Sequence, residues 1–139
     1  MKLTILQLIQ ILITIESGGD DNAIGDNGRA YGCLQIHKTM VDDYNRITGN
    51  SYTHRDAFNR TKSIDMAFAV LTHYSNHIYK TQGRKANTRD LCRIWNGGGS
   101  AWRKQKPSKE EKLHKYYLKV CVEVLKRYNE NRTNKYIRT

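Results

Sequence analysis

The chain has 139 residues, of which 38% are hydrophobic and 27% charged, with one proline and ten glycines. One domain of that size buries a core without disulfide or metal staples, and the composition excludes a disordered or collagen-like chain. The formal net charge is +11, from 24 Lys and Arg against 13 Asp and Glu. It favours polyanions, whether nucleic acid, an anionic membrane, or the acidic polymers and peptide carboxylates of a cell wall, and it does not choose among them.

The N-terminal stretch, Met1-Lys2 followed by Leu and Ile, imitates a signal peptide. Gln7, Gln10 and Thr14 interrupt it at helical spacing, however, and no small-residue cleavage site follows. We read it as a core helix over about residues 2–16, with Leu3, Leu6, Ile9 or Gln10, and Ile13 on one face, stopped by Ser17-Gly18-Gly19. Glycines 25, 28 and 32 and the turn signal Asp26-Asn27-Gly28 predict an irregular β-hairpin next. Thr39-Met40-Val41-Asp42 reads as a capping box, starting a helix near Thr39. Residues 48–60 read as a polar loop. The stripe Ile64, Ala67, Phe68, Leu71, Tyr74 or Ser75, and Ile78 predicts a strong helix, ended by Gln82-Gly83-Arg84. Thr88 caps a shorter helix through Trp95, and Asn96-Gly97-Gly98-Gly99 breaks the chain again. Ser108 and Glu111 form a second capping box for a last helix carrying Leu113, Tyr116 or Tyr117, Val120, Val124 and Tyr128. The basic tail after Asn129 is expected to fray. No window reaches the roughly 20 apolar residues of a membrane span. Cys33, Cys92 and Cys121 are odd in number and form no CxxC, so they read as buried thiols of a chain made in a reducing cytosol.

The sharpest chemical feature is Glu16, which ends the apolar run Ile11-Leu12-Ile13-Thr14-Ile15. At a helix C-terminus the dipole opposes ionisation, and burial beside isoleucines opposes it again. Both effects push a carboxyl toward the behaviour of a general acid near neutral pH. Alone, the residue reads better as a surface Glu at a frayed helix end, paired with an Arg.

Three segments follow one another: Glu16-Ser17, then Gly32-Cys33-Leu34-Gln35, then Trp95-Asn96-Gly97-Gly98. The ordered trio resembles the lysozyme-like superfamily, in particular the goose-type lysozymes and the soluble lytic transglycosylase family of bacteria and phages. There, Glu-Ser, Gly-x-x-Gln and aromatic-Asn-x-Gly occur in this order. The resemblance runs from the first helix to about residue 98. It implies Glu16 as the catalytic acid and Ser17 as its local support. It also implies Gly32 and Gln35 as the lining of a sugar cleft, closed by Asn96 and Gly98. Trp95 stands where the transglycosylases usually carry Tyr, whose hydroxyl bonds near the acid. Tyr31 and Tyr74 are the candidates to replace that hydroxyl.

Asp26 decides between two reactions. A hydrolase normally uses two carboxyl groups, whereas a transglycosylase works with one and the substrate's own hydroxyl. The segment Gly25-Asp26 to Gln35 resembles the goose-type one, whose matching Asp helps hold the attacking water. The second goose-type Asp falls on His37, a weak replacement base or a sugar contact. Asp20 and Asp21 are outside candidates, and Asp26 also suits the turn chemically. His73 and His77 are four apart on one helix, without the Glu of a zincin motif, and no metal or organic cofactor is implied.

The expectation is one mostly α, lysozyme-like domain over residues 1–139, with about five helices and a small β-hairpin beside the cleft. The resemblance implies a monomeric, phage-type enzyme that acts on peptidoglycan from outside the cytoplasm. It would cleave the β-1,4 bond between N-acetylmuramic acid and N-acetylglucosamine by hydrolysis, with Asp26 assisting Glu16, or alternatively by transglycosylation to 1,6-anhydro ends. Its basic face would suit anionic wall polymers or an outer-membrane surface, and nucleic acid is not the expected partner. The reading from another class is a non-catalytic basic module that binds glycan or nucleic acid.

Overall fold

The structure is a computed structural model and describes residues 2–137. Thr4 opens α1 (Ile5–Ser17) with a full capping box: its side chain accepts from Gln7 N–H while the Gln7 side chain accepts from Thr4 N–H. Gly18 closes the helix in the left-handed conformation. Leu8, Ile9, Ile11, Leu12 and Ile13 are all buried, each such side chain contributing about 2 kcal/mol of transfer free energy. This face is wider than the expected stripe and turned away from Leu6, which is 53% exposed. The reason is that α1 packs against two later helices, α3 and α5.

The hairpin is antiparallel and minimal. β1 (Ile24–Gly25) pairs with β2 (Ala30–Tyr31) in the register Ile24 to Tyr31 and Gly25 to Ala30. Asp26 and Asn27 adopt positive φ of 47° and 55°, a conformation these two residue types tolerate best among non-glycines. α2 (Lys38–Thr48) follows, with His37 at its N-cap and no side-chain cap bond. The expected Thr39 capping box is therefore absent, because the helix starts one residue before Thr39. The 48–60 stretch is not all loop: a 3₁₀ turn spans His54–Phe58, opened by a capping box between Thr53 and Asp56.

α3 (Arg60–Gln82) is 23 residues long, about 35 Å, and packs against α1, α2 and α4. Its buried residues include Met66, Ala67, Val70, Leu71 and Ile78, while the expected Phe68 is 42% exposed. Asn87, one residue before the expected Thr88, caps α4 (Thr88–Gly97) with Asp90 as its box partner. α5 (Pro107–Ile137) continues to the end of the described residues, so the stretch after Asn129 is helical and exposed. Leu113, Tyr116 and Val120 are its buried stripe; Tyr128 is exposed. The acid that reaches back at its start is Glu110, which accepts from Gln105 N–H at 2.6 Å. Five α-helices and one two-stranded sheet among the described residues match the mostly α, lysozyme-like expectation.

Two buried devices shape what lies above them. Arg93, 2% exposed, pairs with Glu110 through both terminal nitrogens at 2.8 and 2.6 Å, and donates to the carbonyls of Ala101 and Arg103. It thereby pins the 98–106 connection to α4 and α5. At Gly32 φ is +80°, and a Cβ would overlap the carbonyl of Ala57. The segment after the hairpin thus lies directly on the 3₁₀ turn. Cys33 and Cys92 are buried and Cys121 partly so, all as free thiols. No helix among the described residues is long and apolar enough to cross a membrane.

Candidate active site

A cleft of about 580 Å³ opens between the end of α1, the start of α2, the middle of α3 and the end of α4. Glu16, Gln35, His37, Tyr74, Trp95, Asn96 and Gly98 line it, seven of the eleven residues singled out from the sequence. Glu16 is half-buried in the last turn of α1. Trp95 in α4 donates its indole N–H to Glu16 Oε1 at 3.3 Å, and Tyr116 in α5 donates its hydroxyl to the same oxygen at 2.5 Å. Neither Oε2 nor any second carboxylate is bound into this arrangement among the described residues. One oxygen is thus fixed by two donors, and Oε2 has no hydrogen-bond partner among the described residues.

Burial raises the Glu16 carboxyl above its ordinary value, and this outweighs the opposing pull of the Tyr116 and Trp95 hydrogen bonds and of the Lys119 and His37 charges. The helix dipole acts in the same direction as burial. A carboxyl so placed holds its proton to higher pH than a surface Glu does, as a general acid must.

The supporting hydroxyl comes from neither of the expected tyrosines. Tyr74 donates to Asp43 Oδ2 at 2.6 Å across the cleft, and Tyr31 is stacked between His54 and Phe58 at centroid distances of 3.8 and 4.7 Å. Tyr116 was visible in the sequence only as a core position of the last helix. The signal available was that a buried phenol needs a hydrogen-bond partner.

Ser17 braces the end of α1 through the backbone. Its hydroxyl donates to Cys33 O at 2.8 Å and accepts from Gly19 and Asp20 N–H, tying the end of α1 to the Gly32–Gln35 segment. Gln35 sits at φ 51° with its amide nitrogen on the carbonyls of Ala23 and Gly32, which fixes the hairpin edge of the cleft. Gly32 does not line the cleft; its role is the contact with Ala57. Gly98 has φ 95° and ψ 170°, open to glycine and to few other residues, where α4 turns away to form the cleft wall. Asn96 stands in that wall, and its Oδ1 is buried without a hydrogen-bond partner.

Asp26 stands outside the cleft lining. One carboxylate oxygen meets Arg29 at 3.2 Å, and the other meets His37 Nε2 at 3.2 Å. His37 is the member of that pair that reaches the cleft. Asp20 accepts from Asn22 N–H, and Asp21 pairs with Arg60 at 2.8 Å. Asp43, which the sequence reading passed over, does line the cleft. Burial resists its ionisation, but hydrogen bonds from Tyr74 and Arg46 and the Arg46 charge prevail and hold it below the usual carboxylate range. The cleft therefore contains one carboxyl biased toward the acid form and another biased toward the anion. His73 and His77 make ring contacts with Tyr74 and Trp102, and no group of three potential metal ligands stands together among the described residues.

A family model described as the transglycosylase SLT domain matches residues 4–118. That span runs from the N-cap of α1 into α5 and includes Glu16, Trp95 and Tyr116. Comparison with curated proteins and with solved structures gives no match. A family match over so much of the chain shows membership: the chain belongs to the SLT transglycosylase family and is a lytic transglycosylase, an enzyme that acts on peptidoglycan.

Proposed function

We propose that the enzyme cleaves the β-1,4 bond between N-acetylmuramic acid and N-acetylglucosamine, with Glu16 serving first as acid and then as base. The protonated Oε2 gives its proton to the glycosidic oxygen as the bond to the muramic C1 breaks, and the N-acetylglucosamine side leaves as an alcohol. The C6 hydroxyl of the same muramic residue then attacks C1 and returns its proton to Glu16. The product end is a 1,6-anhydro sugar, and no water is consumed. The buried Oδ1 of Asn96 is an acceptor that an N-acetyl N–H of the bound strand would satisfy.

The observation that carries this reading is the isolation of Glu16. Tyr116 and Trp95 hold one of its oxygens, and no carboxylate shares its hydrogen bonds; Asp26 is occupied by Arg29 and His37, and Asp43, the other carboxylate of the cleft, by Tyr74 and Arg46. One carboxyl acting twice is what an intramolecular attack requires, whereas hydrolysis ordinarily takes a second group to activate water.

The Asp26–His37 contact supports the second reading, a muramidase. Neutral His37, with Nε2–H turned to Asp26, would leave Nδ1 to take a proton from water. Mass spectrometry of digested peptidoglycan separates the two. Anhydro-muramic ends are expected, and reducing ends without them would overturn the transglycosylase reading in favour of the His37 route.

A further inference from the structure

α5 has two apolar faces. Leu113, Tyr116 and Val120 on the inner one are buried, and Tyr117 and Val124 pack partly against the same core. Leu118, Val122 and Leu125 form the outer one and are 47%, 68% and 60% exposed. The steps between them are four and three residues, so the side chains stand in one row along the helix. Val122 lies two residues from Val120, about 200° round the helix axis, so the row points away from the core. Tyr136, 71% exposed, stands further along the same row. Beyond Val120 none of the described residues of α5 is buried, yet the helix runs on to Ile137. Single exposed apolar side chains are ordinary; a row of them on a long helix marks a surface that another body covers.

The charges beside the row identify that body. α5 carries eight Lys and Arg against four Glu. Glu110, Glu111 and Glu123 are taken up in ion pairs with Arg93, Lys115 and Arg127. Lys119 and Lys126 stand exposed along one flank of the row, without an ion-pair partner among the described residues. A second copy of the chain, of net charge +11, would bring like charge against like. A row on a single helix is also convex and offers no groove to a partner's side chains. An anionic lipid surface answers both features. Its acyl boundary takes the apolar row, and its phosphates take the ammonium groups, whose flexible stems reach back to the headgroups. No helix among the described residues is long and apolar enough to cross a membrane, so α5 would lie in the plane of the interface. We infer that the outer face of α5 docks the enzyme on an anionic lipid bilayer. Leu118, Val122 and Leu125 enter the acyl boundary, and Lys119 and Lys126 meet lipid phosphates. None of these five residues lines the catalytic cleft, so lipid docking is a function separate from bond cleavage.

The test is co-sedimentation with vesicles of mixed phosphatidylglycerol and phosphatidylcholine, and with vesicles of phosphatidylcholine alone. Wild type should bind the mixed vesicles, less so as salt rises, and should not bind the neutral ones. Val122→Gln with Leu125→Gln keeps every charge and favours the helix, and should weaken binding about tenfold. Lys126→Gln should weaken it about fivefold, and Lys126→Arg should retain it. Leu125→Trp should add a blue-shifted emission that brominated acyl chains quench, which attraction of a basic protein to headgroups alone would not give. Thermal melts at the wild-type temperature show that the variants are folded. The inference is overturned if wild type ignores the mixed vesicles, if it binds neutral vesicles as well, or if the double Gln variant binds as wild type does. It is overturned equally if wild type without lipid sediments as a dimer that the double Gln variant dissociates, since a second copy then covers the face.

Discussion

The hydroxyl of Tyr116 donates to Glu16 Oε1 at 2.5 Å, across a separation of 100 residues in the chain. The bond joins the last helix to the end of the first and fixes one of the two Glu16 carboxyl oxygens. Tyr116 is itself pushed upward as an acid, by burial and then by the charge and hydrogen bond of Glu16, so it remains a donor at every working pH.

Replacing Tyr116 with Phe removes the stronger of two hydrogen bonds that favour ionised Glu16. The Glu16 carboxyl should then rise further, and the alkaline limb of the pH–rate profile should move to higher pH. The rate itself should fall about tenfold from lost orientation of the acid. Steady-state rates across pH check both effects. Trp95→Phe should shift the limb the same way and by less, since its bond is longer.

Glu16 also imposes a cost in stability. Its folded value lies above its unfolded one, so the folded state binds the proton more tightly. Stability is then greatest below the unfolded value of about 4.5 and declines as pH rises through the folded value. Glu16→Gln has no charge to bury. At pH 7 it should melt higher than wild type, and the gap should close below pH about 4, where both side chains are neutral. Thermal denaturation at the two pH values tests the sign.

Asp26→Asn keeps the left-handed turn conformation, since Asn tolerates it as well as Asp. Under the transglycosylase reading, Asp26 acts only by steadying His37 at the cleft edge, and the rate should stay within about threefold of wild type. A fall of about a hundredfold, with reducing ends lost from the products, would favour the hydrolytic route through His37. Initial rates with analysis of product ends distinguish the two.

Arg93→Ala should be the most damaging change away from the acid. It leaves Glu110 and the carbonyls of Ala101 and Arg103 without their buried donor. The Arg93 hydrogen bonds, then the Gln105 N–H, hold the Glu110 carboxyl down at about 2. A depressed carboxyl contributes stability above its unfolded value and loses it as pH falls toward the folded one. The stability gap between wild type and Arg93→Ala should therefore narrow between pH about 4.5 and about 2, as read by chemical denaturation across pH.

How far the site was legible depends on how local each signal is. The end of α1 is written in adjacent residues, Glu16 to Gly19, and the turn at Asp26-Asn27-Gly28 needs only its own backbone preferences. The existence of the five helices follows from periodicity, yet the buried face of α1 does not. Leu6 fits the stripe as well as Leu8 does, and only packing against α3 and α5 separates them. Helix starts erred by one residue at α2 and α4 because several Ser, Thr and Asn residues compete to cap. Trp95 as a partner of Glu16 came through the ordered trio of segments. Tyr116 as a partner of Glu16, and Asp43, did not. Their meaning lies in which helix passes beside which, and no short spacing in the chain encodes that.

Clearance of purified peptidoglycan by wild type and by Glu16→Gln tests the central claim most directly. Both proteins should be folded, with the variant at least as stable at pH 7. Wild type should clear the suspension and release soluble fragments. Glu16→Gln, with no proton to give the leaving oxygen, should be slower by about a thousandfold. Equal clearance by the two proteins would contradict the assignment of Glu16 as the acid.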